Sequence, residues 1–216
     1  RGKMIPLAIL SLLALVMLMF AFNTSVVNAS SDTTKNENGK KVETFTPDNP
    51  EQFIKEQGWE KPTPDAKLVE VTRVTEEPND EIDGIKKENN LQVIYSIKNV
   101  KNIGQLCGTT VQARTSGTGG ANGVLKLEQT ASVSNSYNAN VGVSASTVSA
   151  GVGFDVTAGM NRTTSYSVNT GGKNYQIVAY DDFQGKSFDV YNIFNKKVGS
   201  GTALRQVGFC YAAYEI

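Results

Sequence analysis

The chain has 216 residues, with 21 Lys+Arg, 21 Asp+Glu and no histidine, so its formal net charge at pH 7 is zero. Without imidazole, Ser-His-Asp and Cys-His nucleophilic catalysis and histidine-ligated zinc are excluded, and two cysteines are too few for a thiolate zinc site. The balanced charge, with no basic patch, gives no footprint for nucleic acid.

At the start, Arg1 and Lys3 precede an apolar run from Ile5 to Phe22 and the small-residue pattern Val27-Asn28-Ala29. This is the layout of a secretory signal peptide cut near Ala29. The run is also long enough to serve as an uncleaved amino-terminal membrane anchor, which is the alternative. The expected organisation is a signal peptide at 1–29, a disordered leader at 30–48, a short helix at 49–60 and an antiparallel β domain at 67–216. The leader is polar, rich in Lys, Asn, Thr and Ser, and has no apolar period. In the helix, Asn49 caps, Pro50 suits the first turn and Gly58 ends it, with Phe53, Ile54 and Trp59 to bury.

Strands are predicted at 68–74, 91–100 and 106–114, with a solvated acidic connection between Glu76 and Glu88. A tight pair at 175–180 and 186–194, turning near Gln184-Gly185, and a last strand at 204–214 complete a mainly β domain, a single antiparallel sheet or sandwich. The adjacent carboxylates Asp181-Asp182 are read as turn residues, and Phe183 as a loop-tip aromatic for a membrane-interface or ligand contact. In an exported chain, Cys107 and Cys210 are expected to pair, joining the start of the β region to its last strand.

The longest patterned stretch runs from Val124 to Val168. Leu125, Leu127, Ala131, Val133, Tyr137, Val141 and Val143 share one parity, against Thr130, Ser132, Ser134, Ser136, Asn138 and Ser144 on the other. Around Ser146-Thr147 the parity flips, and Val148, Val152, Phe154, Val156 and Met160 carry the apolar face back. Alternation marks strands, so the stretch predicts one long Ser/Thr-rich hairpin turning near Ser146. Asn135 interrupts its apolar parity, and Asp155, on the polar parity, is the only charge between Glu128 and Arg162.

In texture, low charge and length, this segment resembles the insertion hairpin of aerolysin-type β-pore-forming toxins. Its Val-Ser-Ala-Gly-Val-Gly-Phe strand also resembles small secreted proteins of Gram-positive bacteria. The first resemblance implies a secreted, non-enzymatic, membrane-active protein. It would insert Val133, Tyr137, Val141, Val143, Val148, Val152, Phe154 and Val156 toward lipid, with Asp155 on the polar side. It implies a membrane or cell-surface receptor and homo-oligomers on membranes; no catalytic residue, cofactor or metal is expected. The alternative is a secreted binding domain for an envelope or extracellular partner, with no pore activity.

Overall fold

The computed structural model of the chain describes residues 33–37, 40–76 and 94–216. The signal peptide expected at 1–29 and most of the acidic connection after Glu76 lie outside these residues. The described strands are β1 (Thr33–Glu37), β2 (Lys40–Phe45), β3 (Lys67–Glu76), β4 (Tyr95–Gly117), β5 (Val124–Ser134), β6 (Ser136–Ala139), β7 (Gly159–Asn169), β8 (Tyr175–Asn192) and β9 (Lys197–Glu215). Two helices, α1 (Pro50–Gln57) and α2 (Ala145–Val152), accompany them.

The main sheet is antiparallel, in the order β1-β2-β3-β9-β8-β4, with β6 also paired to β9. β5 and β7 form a separate two-stranded sheet. The protein is therefore mainly β, as its alternation predicts. The leader departs from expectation, because Lys40–Phe45 pairs with β3 and Phe45 packs on the core. Its Val42 and Phe45 supply enough apolar surface for an edge strand despite the polar composition.

β8 and β9 are buried on both faces. Val178, Tyr180, Cys210, Ala212 and Tyr214 face α1, against Phe53, Ile54 and Trp59. Ile177, Ala179, Phe209, Tyr211 and Ala213 face the β5–β7 hairpin, against Leu125, Leu127, Val133, Tyr166 and Val168. A third core joins Phe188, Val190 and Ala203 to Val143, Val148, Val152, Phe154 and Val156. Helix α1 is written locally. Asn49 Oδ1 accepts from Gln52 N at 3.1 Å, and Gly58 closes the helix at φ 68°. Trp59 then stacks on Tyr180 at 4.4 Å between ring centroids and donates its indole N–H to Gly108 O.

The turn predicted between residues 180 and 186 proves to be mid-strand. β8 runs unbroken through Gln184-Gly185, which pair with Gln105 and Gly104 on one side and Arg205 and Leu204 on the other. Gly185 is there for close approach: a Cβ would lie 2.7 Å from Ile103 Cγ1. Asp181 and Asp182 are consequently buried in a central strand, and Phe183 is part-buried beside Gly108 rather than at a loop tip. Likewise the strands expected at 91–100 and 106–114 are one strand, β4, kept continuous by register shifts at Lys98/Lys101 and Cys107/Val111.

Cys107 and Cys210 are bonded, with S–S 1.99 Å and Cα–Cα 5.8 Å. The bond ties β4 to β9, the two strands that flank β8. A disulfide fits an oxidising, extracellular compartment. No helix among the described residues is long and apolar enough to cross a membrane.

Candidate functional site

Between the two strands of the β5–β7 hairpin lies an insert, residues 135–158, where sequence alone predicts that both strands continue to a turn near Ser146. The hairpin itself forms, from Val124 opposite Asn169 to Ser134 opposite Gly159. Beyond that point the chain forks. β6 leaves to pair with β9, from Ser136 opposite Leu204 to Ala139 opposite Gly201, and α2 occupies the expected turn.

The helix is a tertiary product, since Ser, Thr, Val and Gly are mediocre or poor helix formers. Ser144 caps it, its Oγ accepting from Thr147 N at 3.2 Å, and Gly153 ends it at φ 84°. Val148 and Val152, four apart, fall on one face and are fully covered. Gly151 lets the helix settle on β4: a Cβ there would lie 2.2 Å from Ile97 Cβ. Lys186 Nζ donates to Val152 O at 2.8 Å, placing a cation at the helix C-terminus. Lys186 and Arg205 also lie over the Phe154 ring, at 5.7 and 5.8 Å.

Asn135 is the clasp of the fork. It is 7% exposed, its Nδ2 donates to Asp155 O at 2.8 Å, and its Oδ1 accepts from Gln206 N at 2.9 Å. One side chain thus joins the hairpin, the far end of the insert and β9. Below the fork, Arg162 pairs with Glu76 at 2.5 Å, Lys40 with Glu76 at 2.7 Å, and the Tyr166 hydroxyl donates to Glu70. Burial and the Glu70 charge push the Tyr166 phenol well above its usual range.

The residues singled out by alternation are divided among three places. Val133 stays in the hairpin core. Val143, Val148, Val152, Phe154 and Val156 are brought together over Phe188, Val190 and Ala203, with Tyr137 and Val141 packed at the margin. The Tyr137 hydroxyl donates to Val143 O at 3.1 Å. Asp155 is exposed, and its carboxylate, accepting from Thr157 N and Oγ1, is held below the usual range by those two bonds. It closes a local turn rather than pairing with another strand. Sequence reasoning did not find Asn135 as a clasp or Gly151 as a packing site. Ser144 before Val148-x-x-x-Val152-Gly153 was the available signal for the helix.

A second cluster sits at the disulfide. Asp182, fully buried, has its carboxylate within 4.8 Å of both cystine sulfurs, and accepts from Thr75 Oγ1 and Gln105 Nε2. Loss of hydration pushes its pKa up to about 6, against the pull of Arg73. With both sulfurs bonded to each other there is no thiolate to join it in holding a metal. Asp181, on the opposite face, is raised as well by burial, and accepts from Gln112 Nε2 at 2.7 Å.

No protein-family model matches this chain, and neither does any curated protein.

Proposed function

We propose that the chain is a secreted, non-enzymatic protein whose insert 135–158 refolds into the distal half of the β5–β7 hairpin and perforates a membrane as a β-pore. The supporting observation is register. Asn135 N already donates to Ala158 O at 2.9 Å, one step beyond the last strand pair. Continued outward, the same register sets Tyr137 opposite Val156, Ala139 opposite Phe154, Val141 opposite Val152, Val143 opposite Ala150 and Ala145 opposite Val148. Ser146 and Thr147 then meet at the tip. The other face carries Ser136 with Thr157, Asn138 with Asp155, Asn140 with Gly153, Gly142 with Gly151 and Ser144 with Ser149.

One face is thus wholly apolar and the other small and polar, as a lipid-facing and a lumen-facing parity require. Tyr137 to Ala145 and Val148 to Val156 give about nine residues a side, the length of a tilted transmembrane strand. Asn135 falls at the base, outside the apolar band. Apart from the exposed Ala150, the side chains that would meet lipid are those now packed with Phe188, Val190 and Ala203. The transition therefore exchanges one apolar partner for another rather than exposing them to water. The helix it dissolves is short and intrinsically weak.

The test is a reversible lock. Asn138 and Thr202 are cross-strand neighbours on β6 and β9, so N138C/T202C can form a disulfide that pins β6 in place. The wild type should release dye from vesicles and form detergent-resistant oligomers. The oxidised variant should do neither, and should recover both after mild reduction, with wild type in the same reductant as control. A wild type that releases nothing from any lipid mixture, or a locked form as active as wild type, overturns the proposal. The first of these outcomes leaves a binding domain.

A further inference from the structure

We infer that the β8–β9 turn is a docking edge for anionic phospholipid bilayers. Turns exposed to water favour Asn, Gly, Asp and Ser, yet Ile193 and Phe194 project from this one at 71% and 82% exposure. Their setting is firm: Asn192 Oδ1 accepts from Phe194 N and Lys196 N, both at 3.0 Å, and Asn192 N donates to Lys196 O at 3.0 Å. Ile94, 60% exposed, stands beside them, lining with Tyr95 and Ile193 a shallow groove of about 300 Å³. Val100 on β4 and Val198 on β9 are also exposed.

Among the described residues, the charge around this wedge is mainly positive. Lys98, Lys101, Lys196 and Lys197 are all exposed at this end of the sheet. The acid nearest the turn among the described residues, Asp189, is held by Lys197 at 2.6 Å and by Asn99. Lys98 reaches Asn195 Oδ1 at 2.5 Å and lies 5.3 Å from the Tyr191 ring centroid, which keeps its ammonium beside the wedge. Apolar side chains that enter the acyl boundary, ringed by lysines at headgroup level, are the two signals that together give stable attachment to an anionic surface. A protein partner would have to supply acids and an aromatic pocket of matching shape; a lipid surface needs no such shape.

The edge also neighbours the insert. Asn140 Oδ1 accepts from Ser200 N at 2.8 Å, and a Cβ on Gly199 would meet Val141. Docking here would bring residues 139–143 close to the bilayer. That consequence, unlike the docking itself, rests on the pore-forming proposal.

The test is flotation of the mature protein on vesicles of phosphatidylcholine alone and of equimolar phosphatidylcholine and phosphatidylglycerol, with dye release read in the same samples. Wild type should float on the anionic vesicles and lose most of that binding in high salt. I193S/F194S should bind at least about tenfold more weakly, and K196Q/K197Q about twenty-five-fold, each lysine near an anionic surface being worth roughly fivefold. Both variants should melt with wild type, since all four side chains are exposed. Flotation of I193S/F194S equal to wild type, or no flotation of wild type, overturns the docking edge. So does a concentration-dependent dimer in solution that I193S/F194S abolishes without any flotation, which would assign the edge to a second copy. Flotation without dye release overturns only the pore reading and leaves the docking edge standing.

Discussion

Two regions that read alike as alternating strand differ in what holds them. In the centre of β8 and β9 both parities are apolar and bulky, so Ile177, Tyr180, Phe209, Tyr211 and Tyr214 have partners on two faces and one possible place. A slip of one residue would exchange the two cores and bury nothing correctly. In the insert, one parity is Val and Ala and the other is Ser, Asn and Gly. That pattern fits a strand, but Val148 and Val152 fit a helix face equally well. Bulk on both faces specifies one structure, whereas small residues with one modest apolar face leave two within reach.

The difference between the two regions can be pressed hardest at the disulfide. C107S/C210S releases a loop of sequence separation 103, and denaturant unfolding should register a loss of about 4–5 kcal/mol, the chain-entropy value. Hydrogen exchange should show the loss in β4, β8 and β9 together, with the insert no more labile relative to its surroundings. An equal loss in the insert and in β8–β9 would mean instead that the two regions share one stability.

Asp182 gives a pH-dependent handle on the same central strands. Its carboxyl titrates near 6 when folded, against an ordinary value of 3.8. The neutral form is therefore favoured by folding, and that stability is complete below about pH 4 and lost as pH rises through 6. At pH 7.4, D182N should be more stable than wild type by about 3 kcal/mol, because the carboxyl's proton affinity rises somewhat more than a hundredfold on folding and each tenfold change is worth roughly 1.4 kcal/mol. The gap should close by pH 4. A variant destabilised equally at both pH values would show that the buried charge is offset by Arg73.

Within the insert, N135A deletes the clasp and leaves Gln206 N and Asp155 O unpaired, at a cost of about 1–3 kcal/mol. Exchange should rise in residues 136–158 and not in β8 or β9, and dye release should quicken. Slower dye release would sever the link between fork and activity. G151A forces a Cβ onto Ile97 and should cost about 1–2 kcal/mol by lifting α2 from β4. Unchanged exchange in α2 would show that the helix docks with slack. Smallest of all, I193S/F194S should alter stability by less than about 0.5 kcal/mol, as exposed surface changes do.

Much of the central region is legible in the residues. Asn49, Pro50 and Gly58 write α1 because caps act within one turn. Cys107 and Cys210 pair because an even count in a chain with an export-type start leaves few alternatives. Alternation places Leu125, Leu127, Tyr166 and Val168 on one face of a hairpin. The misread turn has a local cause: a glycine looks like a chain reversal where a neighbour in fact needs its lack of bulk, and Gly185 makes room for Ile103. The insert errs the other way, read as strand where Gly151 makes room for Ile97 and lets a helix pack. Asp181-Asp182 resembles a turn and proves to be mid-strand, because nothing local reports that β4 and β9 flank them. Of the candidate site, the apolar set Val143, Val148, Val152, Phe154 and Val156 is legible, but its folding over Phe188 and Val190 is not.

The order of amino acids is enough for the mainly β class, the disulfide partners and the two-faced character of residues 124–168, because periodicity and cysteine count are properties of the chain alone. It takes contacts in three dimensions to send β6 to β9 and to coil residues 145–152 into a helix. There the two local periodicities tie, and the choice falls to Ile97, Lys186 and Gln206, which lie far away in the chain.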